Sequence, residues 1–295
     1  MNFTDYILTR IAYHILQIRS KRNIINGNKK VAIFAFDDIG HLINLEGLYE
    51  KRELDHVFSW MSRFELINKD NIAIDIGANI GNHSLYFSKY FKSVHSFEPN
   101  PNTFKLLKIN SELVDNIRIY NKGISNINTA AYLSVNETNN GNSFVANEKT
   151  NDTVEILLSP LDMSLEDSTQ IDLIKIDVEG HEVNVIDGSQ MLIRKNMPVI
   201  LFEQHENDFV KGESLVISQL KSFGYKDFAV IKNNSHICTI KNRYLKTIIS
   251  SIIHFFIGFN NLKIEFKNDI TPGFYPFIIA IPPQKKSMII NQQIS

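Results

Sequence analysis

The sequence predicts an α/β chain built on a doubly wound, mostly parallel sheet, and three stretches carry that prediction. In the first, the apolar run Ile72-Ala-Ile-Asp-Ile76 is followed by Gly77-Ala-Asn-Ile-Gly81, and apolar residues then recur at helical spacing from His83 to Phe91. In the second, Ser93-Val-His-Ser-Phe97 ends in Glu98 and Pro99, which cannot continue a strand. In the third, Ile171-Asp-Leu-Ile-Lys-Ile-Asp177 leads through Gly180 into a helix that opens with Glu182, an acid matched to the positive end of the helix dipole. Strands separated by helical patterns imply crossover units and strand tips on a common edge.

That edge is where such sheets bind ligands. Gly77 and Gly81 permit a tight turn, which would present free backbone N–H groups at a helix start. Glu98 lies ~20 residues beyond the turn, the separation at which an acid at the second strand tip accepts ribose hydroxyls. Two glycines at this spacing do not form the three-glycine pyrophosphate fingerprint. A ligand with an ammonium, a carboxylate and a ribose fits better, because Asp75 can order the turn or attract a cation.

Composition narrows the function classes. The 295 residues hold 31 Lys and Arg against 32 Asp and Glu, so no basic field gathers nucleic acid. The single cysteine, Cys238, excludes an internal disulfide and suits a reducing cytosol. Asp5 and Arg10 interrupt the apolar start, so it does not read as a secretion signal, and no run is long enough to span a bilayer.

Taken in order, residues 1–68 read as an amphipathic helix and a cap region, and 69–295 as the sheet domain with insertions at about 130–160 and 241–274. Ile7, Leu8, Ile11, Ala12, Ile15 and Leu16 form a helical stripe ahead of Arg19, Lys21 and Arg22; packing on the domain is favoured over a membrane-surface or partner helix. Val31–Phe36 and His41–Leu45 read as a hairpin around Asp37-Asp-Ile-Gly40, followed by a helix from Leu48 to Phe64. Helix Asn102–Val114 and strand Ile117–Ile124 follow the core motif. Ala131–Val135 and Thr153–Leu158 read as paired strands around an Asn-rich loop, 136–152, that turns at Asn140-Gly-Asn142. Strands at Val199–Phe202, Phe228–Lys232 and Phe277–Ile281, a helix at Ser214–Phe223 and a second basic-flanked apolar helix at Tyr244–Ile257 complete the pattern.

These residues resemble the FkbM-type S-adenosylmethionine-dependent methyltransferases. The resemblance rests on Asp75-Ile-Gly-Ala-Asn-Ile-Gly-Asn-His-Ser84, Phe97-Glu-Pro-Asn-Pro101, Leu161-Asp162, Ile174-Lys-Ile-Asp-Val-Glu-Gly-His-Glu182, Asp187-Gly188 and Phe202-Glu203. It implies a class I methyltransferase (Rossmann-like) fold of seven mostly parallel strands, the last antiparallel, with helices on both faces and an N-terminal helical or hairpin cap. It also implies that Asp75, Gly77, Ala78, Asn79, Gly81 and Asn82 surround the methionine end of S-adenosylmethionine. Glu98 would then meet the ribose, and Asn121 and Gly123 the adenine. The family acts mostly on hydroxyls of sugars, polysaccharides and natural products.

Methyl transfer to a hydroxyl needs an in-line acceptor oxygen with a removable proton. The candidates are Asp177, Glu179, His181 and His205, with Asp177 favoured as base; holding the cofactor's amino group or capping its turn are its other readings. His181 reads as a polar group at a helix start, His83 as a helix-surface or capping residue, and His95 as structural. Glu203 and His205 read as hydrogen-bonding partners of the acceptor. Together with Asp177 they also supply ligand types for a divalent metal, a reading not favoured because no close-spaced metal motif supports it. An NAD(P)-dependent oxidoreductase and a non-catalytic scaffold are the competing functions. The expected site is cytoplasmic, with peripheral contact at the inner membrane face as its extension; the oligomeric state is not encoded in these motifs.

Overall fold

The computed structural model describes residues 2–135, 144–146, 148–166, 170–233, 262–267 and 269–294. Helices α1 (Phe3–Ile25), α2 (Asp38–Glu46) and α3 (Lys51–Arg63) lead into β1 (Ile72–Ile76), α4 (Asn82–Phe87), β2 (Ser93–Phe97), α5 (Pro101–Ser111) and β3 (Ile117–Tyr120). Four strands then form a separate small sheet: β4 (Gly123–Ile124), β5 (Thr129–Ser134), β6 (Phe144–Ala146) and β7 (Thr153–Ser159). The chain returns through α6 (Leu161–Ser164) to β8 (Ile171–Ile176), α7 (Glu182–Asp187), α8 (Gln190–Asn196) and β9 (Val199–Gln204). A short hairpin of β10 (Phe209–Val210) and β11 (Glu213–Ser214) precedes α9 (Leu215–Ser222), β12 (Asp227–Asn233), β13 (Leu262–Phe266), β14 (Tyr275–Ile281) and α10 (Pro283–Ile294).

The main sheet runs in the order β13-β12-β14-β9-β8-β1-β2-β3. β3, β2, β1, β8 and β9 are parallel, and β14 is antiparallel to both its neighbours. Its strands are buried on both faces, which explains their nearly unbroken apolar runs. Ile74, Ile76, Ile174, Ile176, Ile200 and Phe202 face a core made with α7, α8 and α9. The alternate residues Ala73, Val94, Leu173, Val199 and Leu201 face α3 and α4 through Leu54, Val57, Phe58, Met61 and Phe87. Helices on both sides thus leave the strand tips as the open edge.

Several expectations are corrected. The sheet has eight strands among the described residues, because Leu262–Phe266 adds an antiparallel edge beside β12. The third strand stops at Tyr120, and Gly123–Ile124 pairs instead with Leu158 and Ser159 of the small sheet. The paired strands expected on either side of the Asn-rich loop are present as β5 and β7. The helix that opens at Glu182 breaks at Gly188, where a Cβ would come 1.9 Å from the Ser125 carbonyl oxygen, and a second helix starts at Gln190.

No hairpin forms at the N-terminus. The Asp37 carboxylate accepts from Ile39 N and Gly40 N at 3.0 and 3.2 Å, so Asp37-Asp-Ile-Gly40 is a helix cap, and Gly47 at φ 84° ends the helix. Helix α1 forms over a longer span than its apolar stripe, with Asn2 capping Asp5 N, but it buries no residue; the expectation that its stripe packs on the domain fails. The second apolar helix at Tyr244–Ile257, Cys238 and the Asn140-Gly-Asn142 turn lie outside the described residues.

Candidate active site

The tips of β1, β2, β8 and β9 open into a cleft of 610 Å³, closed on one side by α2 and Tyr49 and on another by the small sheet. Its floor is the glycine turn. Gly77 sits at φ 77°, and a Cβ there would lie 1.8 Å from the Asp177 carbonyl oxygen, so two strand tips approach as closely as glycine allows. Asn79 also takes a left-handed conformation, at φ 51°.

The turn does not present a row of free donors. Gly77 N and Ala78 N both donate to Phe97 O at 3.0 Å, and Gly81 N donates to Ala78 O at 2.8 Å. Asn79 N donates to Glu98 Oε2 at 2.9 Å, while Asn100 N donates to Glu98 Oε1 at 2.8 Å. Glu98 therefore braces the turn while facing the cleft. Burial raises its carboxyl to about 7, against the lowering pull of those two N–H donors and Lys175.

The residues expected around the cofactor separate into two groups. Gly77, Ala78, Asn79, Asn82, Glu98 and Gly123 line the cleft. Asp75 lies beneath it, fully buried, accepting from Ser84 Oγ at 2.5 Å, and its Oδ1 stands 3.7 Å from Lys175 Nζ without a hydrogen bond. Gly81, at φ 88°, packs against Leu107 outside the lining. Asn121 spends its amide on the Glu98 and Pro99 carbonyls, at 2.9 and 3.1 Å, and so fixes the end of β2. Asn82 exchanges two 3.0 Å hydrogen bonds with the backbone of Tyr49, tying the cap to the turn. Asn110 adds a second tie, donating to Ala32 O and Ile80 O at 2.9 and 2.7 Å.

The acidic groups converge around a lysine that the sequence reading passed over. Lys175, 3% exposed, donates to Asp177 Oδ2 at 3.0 Å and to Gly77 O at 3.4 Å. Burial works to lower its ammonium, but the charges of Asp177 and Asp75 outweigh that and raise it. In the same way burial alone would raise Asp177, yet Lys175 and a hydrogen bond from Glu203 hold its carboxyl below the ordinary range. Glu203 is pushed up by burial and by the Asp177 charge. Glu179, at φ 49°, is raised by burial and then by Asp177.

His205 stands at the cleft mouth with Nε2 3.3 Å from Glu203 Oε1 and 3.9 Å from Glu179 Oε2. Its side chain also accepts from the Asp208 backbone in a capping box, which leaves Nε2 as the hydrogen-bearing nitrogen facing the carboxylates. Phe274, 59% exposed, packs at 5.1 Å from the His205 ring. Tyr49 closes the opposite wall; burial, then the charges of Glu50, Glu203 and Asp177, raise its phenol, keeping it a neutral donor.

Of the other histidines, His83 and His181 also line the cleft. His83 is buried rather than on the helix surface, with Nε2 3.1 Å from Glu50 Oε2 but not aligned for a hydrogen bond. His95 meets Tyr120 Oη at 3.0 Å. His181 is half-buried, bonded to Ser125 Oγ at 2.9 Å, rather than a surface group. Glu182, read as a simple first-turn charge, is buried and accepts from Gly180 N at 3.1 Å. Among the described residues no group of three or more His, Cys, Asp or Glu is arranged to hold a metal.

Lys175 and Tyr49 were missed for different reasons. A lone cation inside the mostly apolar strand Ile171–Ile176 was a readable signal. Nothing local marks Tyr49, whose place depends on the long-range pairing with Asn82.

A mostly parallel sheet with an antiparallel strand between β9 and β12, and a ligand-sized cleft over its first glycine turn, define a class I methyltransferase architecture. The family model for the methyltransferase FkbM domain matches residues 75–226, just over half of the chain, and the chain belongs to that family. Hexuronic acid methyltransferase AglP of Haloferax volcanii is 27% identical over 161 residues, 53% of this chain and 65% of the relative. Methyltransferase 1 of Beauveria bassiana is 27% identical over 145 residues, 40% of this chain and 58% of the relative. The chain thus spans less than two thirds of the length of these curated relatives. Among solved structures, a methyltransferase FkbM from Methylobacillus flagellatus KT is similar at TM-score 0.34 and 19% identity, covering 46% of this chain and 33% of that one. The precorrin-6y C5,15-methyltransferase of Geobacter metallireducens GS-15 is similar at TM-score 0.39 and 14% identity, covering 77% of this chain and 88% of that one.

Proposed function

We propose that the chain is an S-adenosylmethionine-dependent O-methyltransferase acting on a hydroxyl of a sugar or glycan. The observation that carries this reading is the meeting in one cleft of a ribose-accepting acid, Glu98, with the cluster of Asp177, Glu179, Glu203 and His205. The donor set suits the cofactor. Gly77, Ala78 and Asn79 supply a close backbone floor for the methionine part, Glu98 faces the ribose, and Ile124, Leu133, Ile156 and Leu158 offer an apolar wall for the adenine. Asp75 and Lys175 act from beneath, holding the turn and Asp177 in place.

When bound, the cofactor supplies a methyl carbon on a sulfonium, whose sulfur keeps the bonding electron pair as the carbon leaves. The chain's task is to orient the acceptor oxygen and remove its proton. Asp177 is a weak proton acceptor because Lys175 stabilises its anion. Glu179 has a raised proton affinity and is not locked in an ion pair with Lys175, so it takes the proton. His205 positions the carboxylates through Nε2–H. The name of the Haloferax relative supports a sugar-derived acceptor.

Helix α1 suits a membrane surface, with Ile7, Ile11, Ile15 and Ile18 exposed beside Arg10, Arg19, Lys21 and Arg22. No helix among the described residues is long and apolar enough to cross a membrane. A lipid-linked glycan at the inner face would bring this helix and the cleft to the same surface. Flotation with anionic vesicles tests that extension: removal of α1 should abolish binding, and a wild-type protein that stays unbound would end it.

Glu179→Gln tests the catalytic assignment. It should lower kcat by about 100-fold, the lower end for loss of a general base, with S-adenosylhomocysteine binding unchanged. Full activity in the variant would remove Glu179 from the mechanism.

A further inference from the structure

We infer that the cleft selects sugar acceptors that carry no carboxylate, and excludes uronates. The inference rests on the methyltransferase reading and specifies its acceptor. At the acceptor end the cleft presents Asp177, Glu179, Glu203, His205, Phe274 and Tyr49. Lys175 is the lysine or arginine among the described residues that line it, and its ammonium is turned toward Asp177, Asp75 and Gly77 O, beneath the floor. Among the described residues that line the cleft, no guanidinium fork or free ammonium stands ready for a carboxylate, whose recognition ordinarily uses such a group.

Asp177 and Glu203 line the cleft as neighbouring carboxyl groups, with Lys175 drawn to Asp177 from beneath. Glu179 adds its own carboxyl group, and Asp38 approaches from the cap. A substrate carboxylate would enter a partly buried field of its own sign, where repulsion exceeds its value in water. Hydroxyl groups face no such penalty, and Glu203, Glu179 and the Tyr49 phenol line the cleft as polar partners for them. An amine on the ring would be attracted.

Phe274 supplies the docking face. Its ring is 59% exposed yet held against His205 at 5.1 Å, an apolar plate beside polar groups. Such an arrangement accepts the C–H face of a pyranose while the ring's hydroxyls reach Glu203 and His205. This sets the chain apart from its Haloferax relative, which is named for hexuronic acid.

The test measures binding of methyl glucoside, methyl glucosaminide and methyl glucuronide to the full chain already saturated with S-adenosylhomocysteine. The first two should bind, and the glucuronide at least tenfold more weakly, with the gap narrowing as salt screens the charges. Phe274→Ala should weaken both bound sugars fivefold or more without changing S-adenosylhomocysteine affinity. Equal or tighter binding of the glucuronide overturns the inference, as does failure of all three sugars to bind. Failure of the cofactor product to bind in the first step is a different result, and it defeats the methyltransferase reading itself.

Discussion

Replacing Glu182 by glutamine should flatten the pH dependence of stability. Glu182 is buried, and its Oε1 accepts from Gly180 N at 3.1 Å. Burial raises its carboxyl from the ordinary 4.5 to about 7, against the lowering effect of backbone donors, with Asp208 and Asp177 adding to the rise. The folded protein therefore holds a proton between those two values that the unfolded chain has released. Stability on this account is fully present below about 4.5 and is lost as pH rises through about 7. At ~1.4 kcal/mol per tenfold change in proton affinity, the loss amounts to about 3 kcal/mol by pH 8. Glutamine keeps the acceptor for Gly180 N and has no charge to bury. Glu98, raised to about 7 as well, is present in both proteins and cancels in the comparison. Urea denaturation of both proteins at pH 4.5, 6 and 8 reads the difference directly. The variant should gain on the wild type by about 3 kcal/mol across that range. A difference between the two proteins that stays constant with pH would refute the reasoning.

Lys175→Met should destabilise the fold by about 3 kcal/mol, since it strands the buried charge of Asp75 and removes the partner of the half-buried Asp177; adding Asp75→Asn should recover part of the loss in urea titrations, and equal stability of the single variant would contradict the ion-pair account. Asn110→Ala removes the ties to Ala32 and Ile80, and should cost about 1–3 kcal/mol while increasing amide exchange in 31–46; unchanged exchange there would show that the cap is held by other contacts. Gly77→Ala should abolish stable folding or cofactor-product binding, because its Cβ would meet the Asp177 carbonyl at 1.8 Å in a left-handed backbone; a soluble variant with wild-type affinity would show that the two strand tips are free to separate.

The strand tips were legible because their local patterns are self-sufficient. Ile72–Ile76 and Ile171–Ile176 are mostly apolar and buried on both faces, as strands covered by helices must be, and the glycine after β1 marks a point where no Cβ fits. Leu161-Asp162 and Asp187-Gly188 were recognised as motif pieces without a visible reason. Spatially, Asp162 accepts from Met191 N and Leu192 N at 2.9 Å, and Gly188 passes against the Ser125 backbone, so both join distant segments.

The N-terminal region was misread because Asp37-Asp-Ile-Gly40 satisfies turn and helix-cap chemistry equally well. The decision falls to tertiary contacts: Ile43 and Gly40 are buried, and Asn110 reaches the cap across 78 positions of sequence. The surroundings of the acids were also hidden. Asp177 looked the natural base from its strand-end position. Its proton affinity is set by Lys175, two residues away on the same strand, whose ammonium points into the floor where sequence spacing gives no direction.

The most direct test of the central claim is calorimetric titration of the purified chain with S-adenosylhomocysteine, NAD and NADP in parallel. The account predicts micromolar binding of S-adenosylhomocysteine and none of the two nicotinamide nucleotides. Binding of a nicotinamide nucleotide alone, or of none of the three, would contradict it.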